Sequence, residues 1–334
     1  MPKFMENPSD PGISTLAAVL DPAELAKQLS QLALPQEQRH VLQGIRLRVL
    51  KWKKTSRCTF EIALETEHGQ QDLIGKVYAE DRSDVYHAME EISRAGFDSE
   101  AAFAIPRPVA FLAPLHLLLY EKVLGTRATA FILNPNESDR VLAAERCARW
   151  LARFHAVGPR SGRIVRLNDQ LSVLEGCWRS LTDRGRPFAD KASRLFDQLN
   201  ATARELGGIE MCAGHGMYTC GQVLLVEGRT VTVDWDTYRV ADPSYDVARM
   251  LVGFTRLGLI YFGSMHALDG AAEVFLRTYV ASIYSDVTPH LAFQKAAICL
   301  ERAKRDLDKQ TRGWRERAEA MLDEGLRILE RGAN

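Results

Sequence analysis

Alternating apolar and polar residues mark the first third of the chain as rich in strands. Period-two segments predict strands at residues 45–52, 57–65 and 72–78, with a turn at 53–56 between the first two. A helix is predicted at 81–96, because Val85, Met89 and Ile92 form an apolar stripe at helical spacing. Apolar runs at 106–112 and 115–123 predict two more strands. Together these elements predict a five-stranded antiparallel sheet with one helix.

Helical periodicity dominates the rest of the chain. The segment 138–156 has a wide apolar face, and residues 171–206 predict one or two helices. Further helices are predicted at 246–257, 267–284, 289–310 and 314–331. Near the N-terminus, Asp21 and Pro22 predict a helix from Pro22 to Leu34, after an arm that looks loose over residues 1–20.

These patterns predict an α+β protein in two lobes, a small antiparallel β-sheet lobe and a larger, mainly helical lobe. We expect an N-terminal arm and helix over residues 1–40, the sheet lobe over 41–124 and the helical lobe over 125–334. The boundary near Gly125 follows the last predicted strand.

The charge and cysteine content of the chain indicate which partners it can bind and in which cellular compartment it folds. The chain has 43 basic and 43 acidic residues, which gives no net attraction to nucleic acid or to an anionic membrane. Six cysteines without paired short spacings favour reduced thiols in the cytoplasm. The N-terminus has no apolar secretory core, and prolines interrupt the most apolar window, residues 101–120. We therefore expect a cytoplasmic protein without a nucleic-acid or membrane partner.

The segment 212–251 concentrates the residues that can carry chemistry. Two apolar runs, 222–226 and 230–233, flank Glu227-Gly228-Arg229 and predict a tight hairpin. His215 and Gly216 lie in the polar loop before it, and Asp234 follows it directly. A loop, a hairpin and an acid at the hairpin exit are typical of sites that place a metal-binding carboxylate beside a catalytic loop in phosphoryl transfer.

The order of short motifs in this segment resembles the aminoglycoside phosphotransferase and choline kinase family, which has a protein-kinase-like fold. The chain carries His215-Gly216, then Val233-Asp234-Trp235, then Ala241-Asp242-Pro243, then Tyr245-Asp246-Val247-Ala248. Two positions depart from the family pattern. Met217 stands where the family has its catalytic Asp, and Gln222 stands where it usually has a metal-binding Asn.

The resemblance implies nucleotide-binding residues in the sheet lobe, with ATP or another nucleoside triphosphate and Mg²⁺ as cofactors. Lys76 would bind the α and β phosphates, its alternative being an outward-facing lysine on an edge strand; Glu90 and Glu91 are its candidate partners. Arg57, in the first hairpin, is either a phosphate contact or an exposed basic tip. Backbone groups near Glu121 and Val123 would bond the adenine edge.

In the helical lobe, the resemblance implies a metal site formed by Asp234 and Gln222, whose amide oxygen replaces that of Asn. His215 would orient the loop, and Asp246 and Asp242 would support it from behind. The other reading of Asp234 is a structural turn cap.

The expected general base is missing, because the thioether of Met217 cannot accept a proton from a hydroxyl. Asp236 is the nearest alternative acid. Two hypotheses follow. The first is an ATP- and Mg²⁺-dependent transferase acting on a small hydroxylated molecule. The second is a catalytically impaired pseudokinase that binds nucleotide or a protein partner and acts as a regulator or scaffold.

The helical lobe has further basic residues whose roles the sequence does not settle. His155, at the end of the 138–156 helix, reads as a buried hydrogen-bonded residue rather than a catalyst. Arg160, Arg163 and Arg166 are either anion-attracting or simply solvated.

Overall fold

The computed structural model describes residues 9–30, 42–66, 69–283 and 286–332. The chain divides into two compact units, Met1–Leu124 and Gly125–Asn334. Within the described residues, none of the helices is both long and apolar enough to cross a membrane.

The first unit is built on one antiparallel sheet. Its strands run in the order β1-β2-β3-β6-β5, so the predicted five-stranded sheet is confirmed. The elements of this unit are α1 (Leu16–Val19), α2 (Pro22–Ser30), β1 (Leu42–Lys53), β2 (Arg57–Thr66), β3 (Gly69–Tyr78), α3 (Ser83–Ile92), β4 (Phe103–Ala104), β5 (Pro108–Leu112) and β6 (Leu117–Glu121).

The strand that carries Lys76 lies inside this sheet. β3 pairs with β2 on one side and with β6 on the other, where Lys76 is opposite Thr59 and Leu118 respectively. Lys76 is only 4% exposed. The alternative of an outward-facing lysine on an edge strand is therefore wrong.

The N-terminal segment belongs to the core of the first unit, which corrects the prediction of a loose arm for residues 9–20. Ile13, Leu16 and Val19 are almost fully buried in the same apolar cluster as the sheet residues and Leu25 of α2. Asp10 fixes the segment, because its carboxylate accepts hydrogen bonds from Trp52 Nε1 and from the backbone N–H of Thr55, each 2.9 Å long. The predicted helix is observed from Pro22 to Ser30, and residues 31–34 lie outside the described part of the chain.

The second unit is mainly helical, as predicted, although most helices begin or end a few residues away from their predicted limits. Its helices are α4 (Ala128–Ile132), α5 (Glu137–Val157), α6 (Leu167–Thr182), α7 (Phe188–Glu205), α8 (Ser244–Phe262), α9 (Asp269–Ala281), α10 (Thr288–Lys309) and α11 (Trp314–Gly332). Its strands are β7 (Thr126–Arg127), β8 (Cys212–Gly214), β9 (Val223–Val226), β10 (Arg229–Thr232) and β11 (Arg239–Ala241).

Two short ribbons in this unit position the predicted catalytic segment. β9 and β10 form the predicted hairpin, with Val226 opposite Arg229, and β7 pairs with the other side of β9. β8 pairs with β11, so that Gly214 lies opposite Arg239. The loop between β8 and β9 and the loop between β10 and β11 consequently lie side by side. Trp235 and Tyr218 pack beneath them against Trp150 of α5, with ring centroids 5.8 and 5.7 Å away.

Candidate active site

His215 joins the two loops through both ring nitrogens. Its Nδ1 accepts a hydrogen bond from the backbone N–H of Met217 at 3.2 Å, so the ring proton belongs on Nε2. Nε2 then donates to the carbonyl oxygen of Val233 at 3.0 Å. Burial lowers the pKa of His215, which keeps the ring neutral and preserves this arrangement.

Asp246 holds the same loop from the first turn of α8. Its two carboxylate oxygens accept the backbone N–H groups of Gly216 and Tyr218, at 3.1 and 3.3 Å. Burial acts to raise the pKa of this carboxyl, but the contact with His155 and the charge of Arg239 lower it below its ordinary value. The carboxylate therefore stays charged and fixes the loop.

Gly216 occupies a position that other residues fit poorly. Its φ is +77°, in the left-handed region. A Cβ atom at this position would lie 2.3 Å from the carbonyl oxygen of Thr237. The Gly216 carbonyl accepts a hydrogen bond from Arg239 Nη2 at 2.8 Å, so both backbone polar groups of Gly216 are used.

The two predicted metal ligands lie on adjoining parts of the hairpin. Gln222 ends a short 3₁₀ turn, Cys220–Gln222, and its backbone carbonyl accepts the N–H of Val233 at 2.9 Å, one residue before Asp234. The side-chain oxygen of Gln222 accepts a hydrogen bond from the Thr219 hydroxyl, which orients the amide. Asp234 is half-buried with φ +73°, a strained conformation for a residue with a side chain. Such strain is common where a side chain must point in one direction.

The position of the missing base is half-buried and apolar. Met217 lies between the anchored N–H groups of Gly216 and Tyr218, so its backbone is fixed although its side chain carries no proton acceptor. Asp236 lies in the 3₁₀ turn Trp235–Thr237, and its Oδ2 atom is buried.

Asp242 supports the helices rather than the loop. It accepts hydrogen bonds from the Ser244 backbone N–H, at 2.8 Å, and from Gln294 Nε2, at 3.3 Å, and it pairs with His290 Nδ1 at 2.7 Å. It thus connects the start of α8 to α10. His155 is buried and hydrogen-bonded to the Tyr279 hydroxyl at 2.7 Å, the environment that the sequence predicts for it.

The candidates of the first unit lie on β2, β3 and α3. Lys76 Nζ lies 5.8 Å from the ring centroid of Tyr78. Arg57 is half-buried at the start of β2, opposite Tyr78 of β3. Glu90 is engaged by the Tyr86 hydroxyl at 3.2 Å and by Arg94 at 3.4 Å on its own helix.

In the segment predicted to bond the adenine edge, one backbone group already has a hydrogen-bond partner within the protein. The backbone N–H of Glu121 donates to the carbonyl of Arg107 at 2.9 Å. Val123 follows β6 and is half-buried.

A cavity of about 360 Å³ opens within the second unit beside β11 and the start of α8. Its lining includes Arg163, Arg166, Arg239, Asp242, Tyr245 and Glu301. Arg160, the third arginine of the predicted loop, instead pairs with Glu210 at 2.9 Å.

Some residues that build the site cannot be recognised from motif order alone. Tyr218 anchors the loop through its N–H and donates its hydroxyl to the Cys147 carbonyl at 2.8 Å. Thr219 orients Gln222, and Arg239 bonds Gly216. Arg239 lies within the matched segment, between Asp234 and Asp242, which is the signal that could have identified it.

The donor set suits a cation that takes oxygen ligands. Among the described residues, no three His, Cys, Asp or Glu side chains are grouped as a metal site. Two protein oxygens suffice for Mg²⁺, because this ion usually keeps several waters and completes its shell with substrate phosphates. The carboxylate of Asp234 and the amide oxygen of Gln222 are ligands of the required type.

Comparisons with solved structures give the same fold. The chain is similar to a choline/ethanolamine kinase family protein from Mesorhizobium loti, with a TM-score of 0.58 and 15% identity over 91% of this chain and 94% of the other. It is also similar to a thermostable mutant of aminoglycoside phosphotransferase APH(4)-Ia, solved as a ternary complex with ADP and hygromycin B. The TM-score is 0.61, with 16% identity over 85% of this chain and 95% of the other. For choline kinase LicA from Streptococcus pneumoniae, the TM-score is 0.59, with 14% identity over 92% of this chain and 97% of the other. These likenesses confirm the predicted α+β class, with an antiparallel sheet unit and a helical unit.

No curated protein matches the chain. The family comparison covers more than half of the chain: residues 62–283 match the phosphotransferase enzyme family, APH. This confirms the resemblance drawn from the motifs of the 212–251 segment. The chain therefore belongs to the APH phosphotransferase enzyme family.

Proposed function

We propose that this protein transfers a phosphate group from Mg²⁺-bound ATP to a hydroxyl group of a small molecule. The observation that carries the proposal is the anchored loop, in which His215 and Asp246 fix the backbone on either side of Met217. A rigid loop of this kind suits phosphoryl transfer, where positioning and charge neutralisation supply most of the catalysis. The family supports the reaction class.

Nucleotide use is supported by the fold neighbours that were solved with ADP or AMP, which include a glucosamine kinase and LicA. In this chain, Asp234 and Gln222 would hold Mg²⁺, and the metal would neutralise charge on the transferred phosphate. Lys76 is the cation proposed for the α and β phosphates. Lys76 is buried on a central strand of the sheet, and its ammonium group is the kind of cation that binds phosphate oxygens.

Met217 determines how fast the proposed enzyme works. Because no carboxylate occupies this position, the acceptor hydroxyl loses its proton without a base from residue 217. General-base catalysis typically contributes about 10²- to 10⁴-fold. We therefore expect slow transfer in the wild type, and Asp236 is the acid to test as a replacement base.

The Met217→Asp variant tests this account of the loop. With Mg²⁺-ATP and hydroxylated acceptors such as amino sugars and choline, we expect it to raise kcat by roughly 10²-fold or more. ADP release is the measurement. Met217→Ala is the matched control, because it removes the thioether without adding a base, and it should give no gain.

The outcomes separate the two hypotheses. A gain in the Asp variant alone supports a transferase that lacks its base. Equal turnover in Met217→Asp and wild type contradicts the role assigned to position 217, and a further fall in Asp236→Asn would then place the base at Asp236. Mg²⁺-dependent ATP binding without turnover in any variant or acceptor would favour a nucleotide-binding regulator.

A further inference from the structure

A cluster of four arginines lies where α8 meets α10 in the second unit. Arg249 and Arg256 come from α8, and Arg302 and Arg305 come from α10. Two carboxylates accompany them. Glu301 pairs with Arg249, and Asp306 pairs with Arg256 and lies 3.7 Å from Arg317 Nε.

The two carboxylates are thus occupied by other arginines. Lys304 and Asp308, on the same stretch of α10, form their own ion pair at 2.6 Å. Within the part of the chain that the structure describes, neither Arg302 nor Arg305 has a carboxylate within ion-pair distance. The cluster contains four guanidinium groups and only two carboxylates, and it therefore carries an excess of positive charge.

Arg302 is the member that most needs a ligand. It is only 8% exposed, and its Nε atom has no hydrogen-bond partner among the described residues. Burial, followed by the charges of Arg249, Arg305 and Arg256, lowers the pKa of Arg302 to about 9, so the group remains a cation at neutral pH. A buried guanidinium without a counter-ion is strongly unfavourable, whereas a bound anion supplies both the charge and the acceptors.

The cluster is connected to the candidate active site by stacked side chains. The Arg249 guanidinium lies 4.9 Å from the ring centroid of Tyr245, and Arg239 lies 4.4 Å from the same centroid. Arg239 in turn bonds the carbonyl of Gly216, next to Met217. Tyr245 and Glu301, which contact Arg249, also line the 360 Å³ cavity.

We propose that Arg302 and Arg305, supported by Arg249 and Arg256, form an anion-binding site for a phosphate or carboxylate group. Planar guanidinium groups bind both kinds of anion through paired hydrogen bonds. The anion is either an acidic group of the acceptor molecule or a free anion that regulates the protein. The first source rests on the proposed function, whereas binding of the anion itself does not.

Inorganic phosphate tests the site without knowledge of the acceptor. At constant ionic strength set with NaCl, phosphate should raise the melting temperature of the wild-type protein, since it binds only the folded state. Arg302→Met should melt at a higher temperature than wild type without phosphate, because an unpaired buried charge is removed. It should also bind phosphate roughly ten- to a hundredfold more weakly. Arg312→Met, which removes an exposed arginine, should behave as wild type.

Two results would overturn the proposal. The first is no stabilisation by phosphate beyond that of NaCl, and the second is an unchanged phosphate affinity in Arg302→Met, whatever the melting temperature of that variant. If Arg302→Met does not fold, Arg305→Met is measured in the same way, and an unchanged affinity there counts against the site. Turnover assays distinguish the two sources of the anion. If the site binds an acidic group of the acceptor, phosphate should compete and raise the KM of the acceptor. If the site binds a free anion, phosphate should leave the KM of the acceptor unchanged.

Discussion

At the scale of single residues, the neutral state of His215 is a condition for the loop geometry. Protonation of Nδ1 would remove the acceptor of the Met217 N–H and place a charge in a fully buried position. Because burial lowers the pKa of His215 in the folded protein, the unfolded chain binds a proton more readily. The contribution of neutral His215 to the unfolding free energy is then fully present above the unfolded pKa of about 6.5, and it declines as the pH falls below that value.

We therefore expect His215→Asn to flatten the dependence of unfolding free energy on pH between about 6.5 and 5. One proton changes the slope by at most about 1.4 kcal/mol per pH unit. Urea unfolding at several pH values above 5 measures the slope while the ordinary carboxyl groups remain charged. His266→Asn, at an exposed histidine, is the control. Equal slopes in wild type and His215→Asn would show that the ring is not held neutral.

Residue identities also limit what sequence can predict. His215, Asp234 and Asp246 are recognisable because their spacing within one segment follows a family pattern. Arg302 has no such signal, because its charge is ordinary for a helix surface and only the packing of α8 on α10 buries it. Helix phase does not decide whether Glu90 or Glu91 pairs with Lys76, and in the structure Glu90 contacts Tyr86 and Arg94 of its own helical segment.

At the scale of elements, the loop between β8 and β9 is defined by backbone contacts rather than by a regular structure. Gly216 approaches Thr237 so closely that a methyl group would overlap its carbonyl oxygen. Gly228, at the tip of the β9–β10 hairpin, has a similar φ of +66° but open space around it. The two glycines thus share the conformational requirement and differ in crowding.

This difference gives a matched pair of variants. Gly228→Ala should cost about 1–2 kcal/mol of unfolding free energy, the usual penalty of the left-handed conformation. Gly216→Ala should cost about 1–3 kcal/mol more, because the overlap with Thr237 must also be relieved. Chemical denaturation of both variants is the measurement. Similar losses in the two variants would mean that the loops are less closely packed than described.

The elements themselves were largely predictable, because strand and helix periodicities are strong in this chain. The short elements α4, β4, β7, β8 and β11 were not predicted, and neither was the structure of the N-terminal segment. Ile13, Leu16 and Val19 recur at a helical interval, but the run is too short to stand out from a polar background. Tertiary packing and the Asp10 hydrogen bonds give this segment its structure, and neither is visible in local sequence.

At the scale of the whole molecule, family membership and fold follow from motif order, whereas the acceptor does not. The net charge of zero conceals a local excess of arginine on α8 and α10. Charge composition therefore could not indicate the kind of acceptor, because the arrangement of the charges emerges only from helix packing. If the proposed anion site takes an acidic group of the acceptor, the protein would favour acidic acceptors over cationic ones.

Nucleotide binding is proposed to depend on Mg²⁺ held by Asp234 and Gln222. Calorimetric titration of wild-type protein with ATP, with and without Mg²⁺, tests it most directly. Asp234→Asn is the appropriate variant, because Asn tolerates the positive φ while losing the charge. Asp308→Asn, at an exposed ion pair on α10, is the control. We predict that wild type and Asp308→Asn bind ATP at least tenfold more tightly with Mg²⁺ and that Asp234→Asn loses this dependence. Equal Mg²⁺ dependence in Asp234→Asn and wild type would contradict the account.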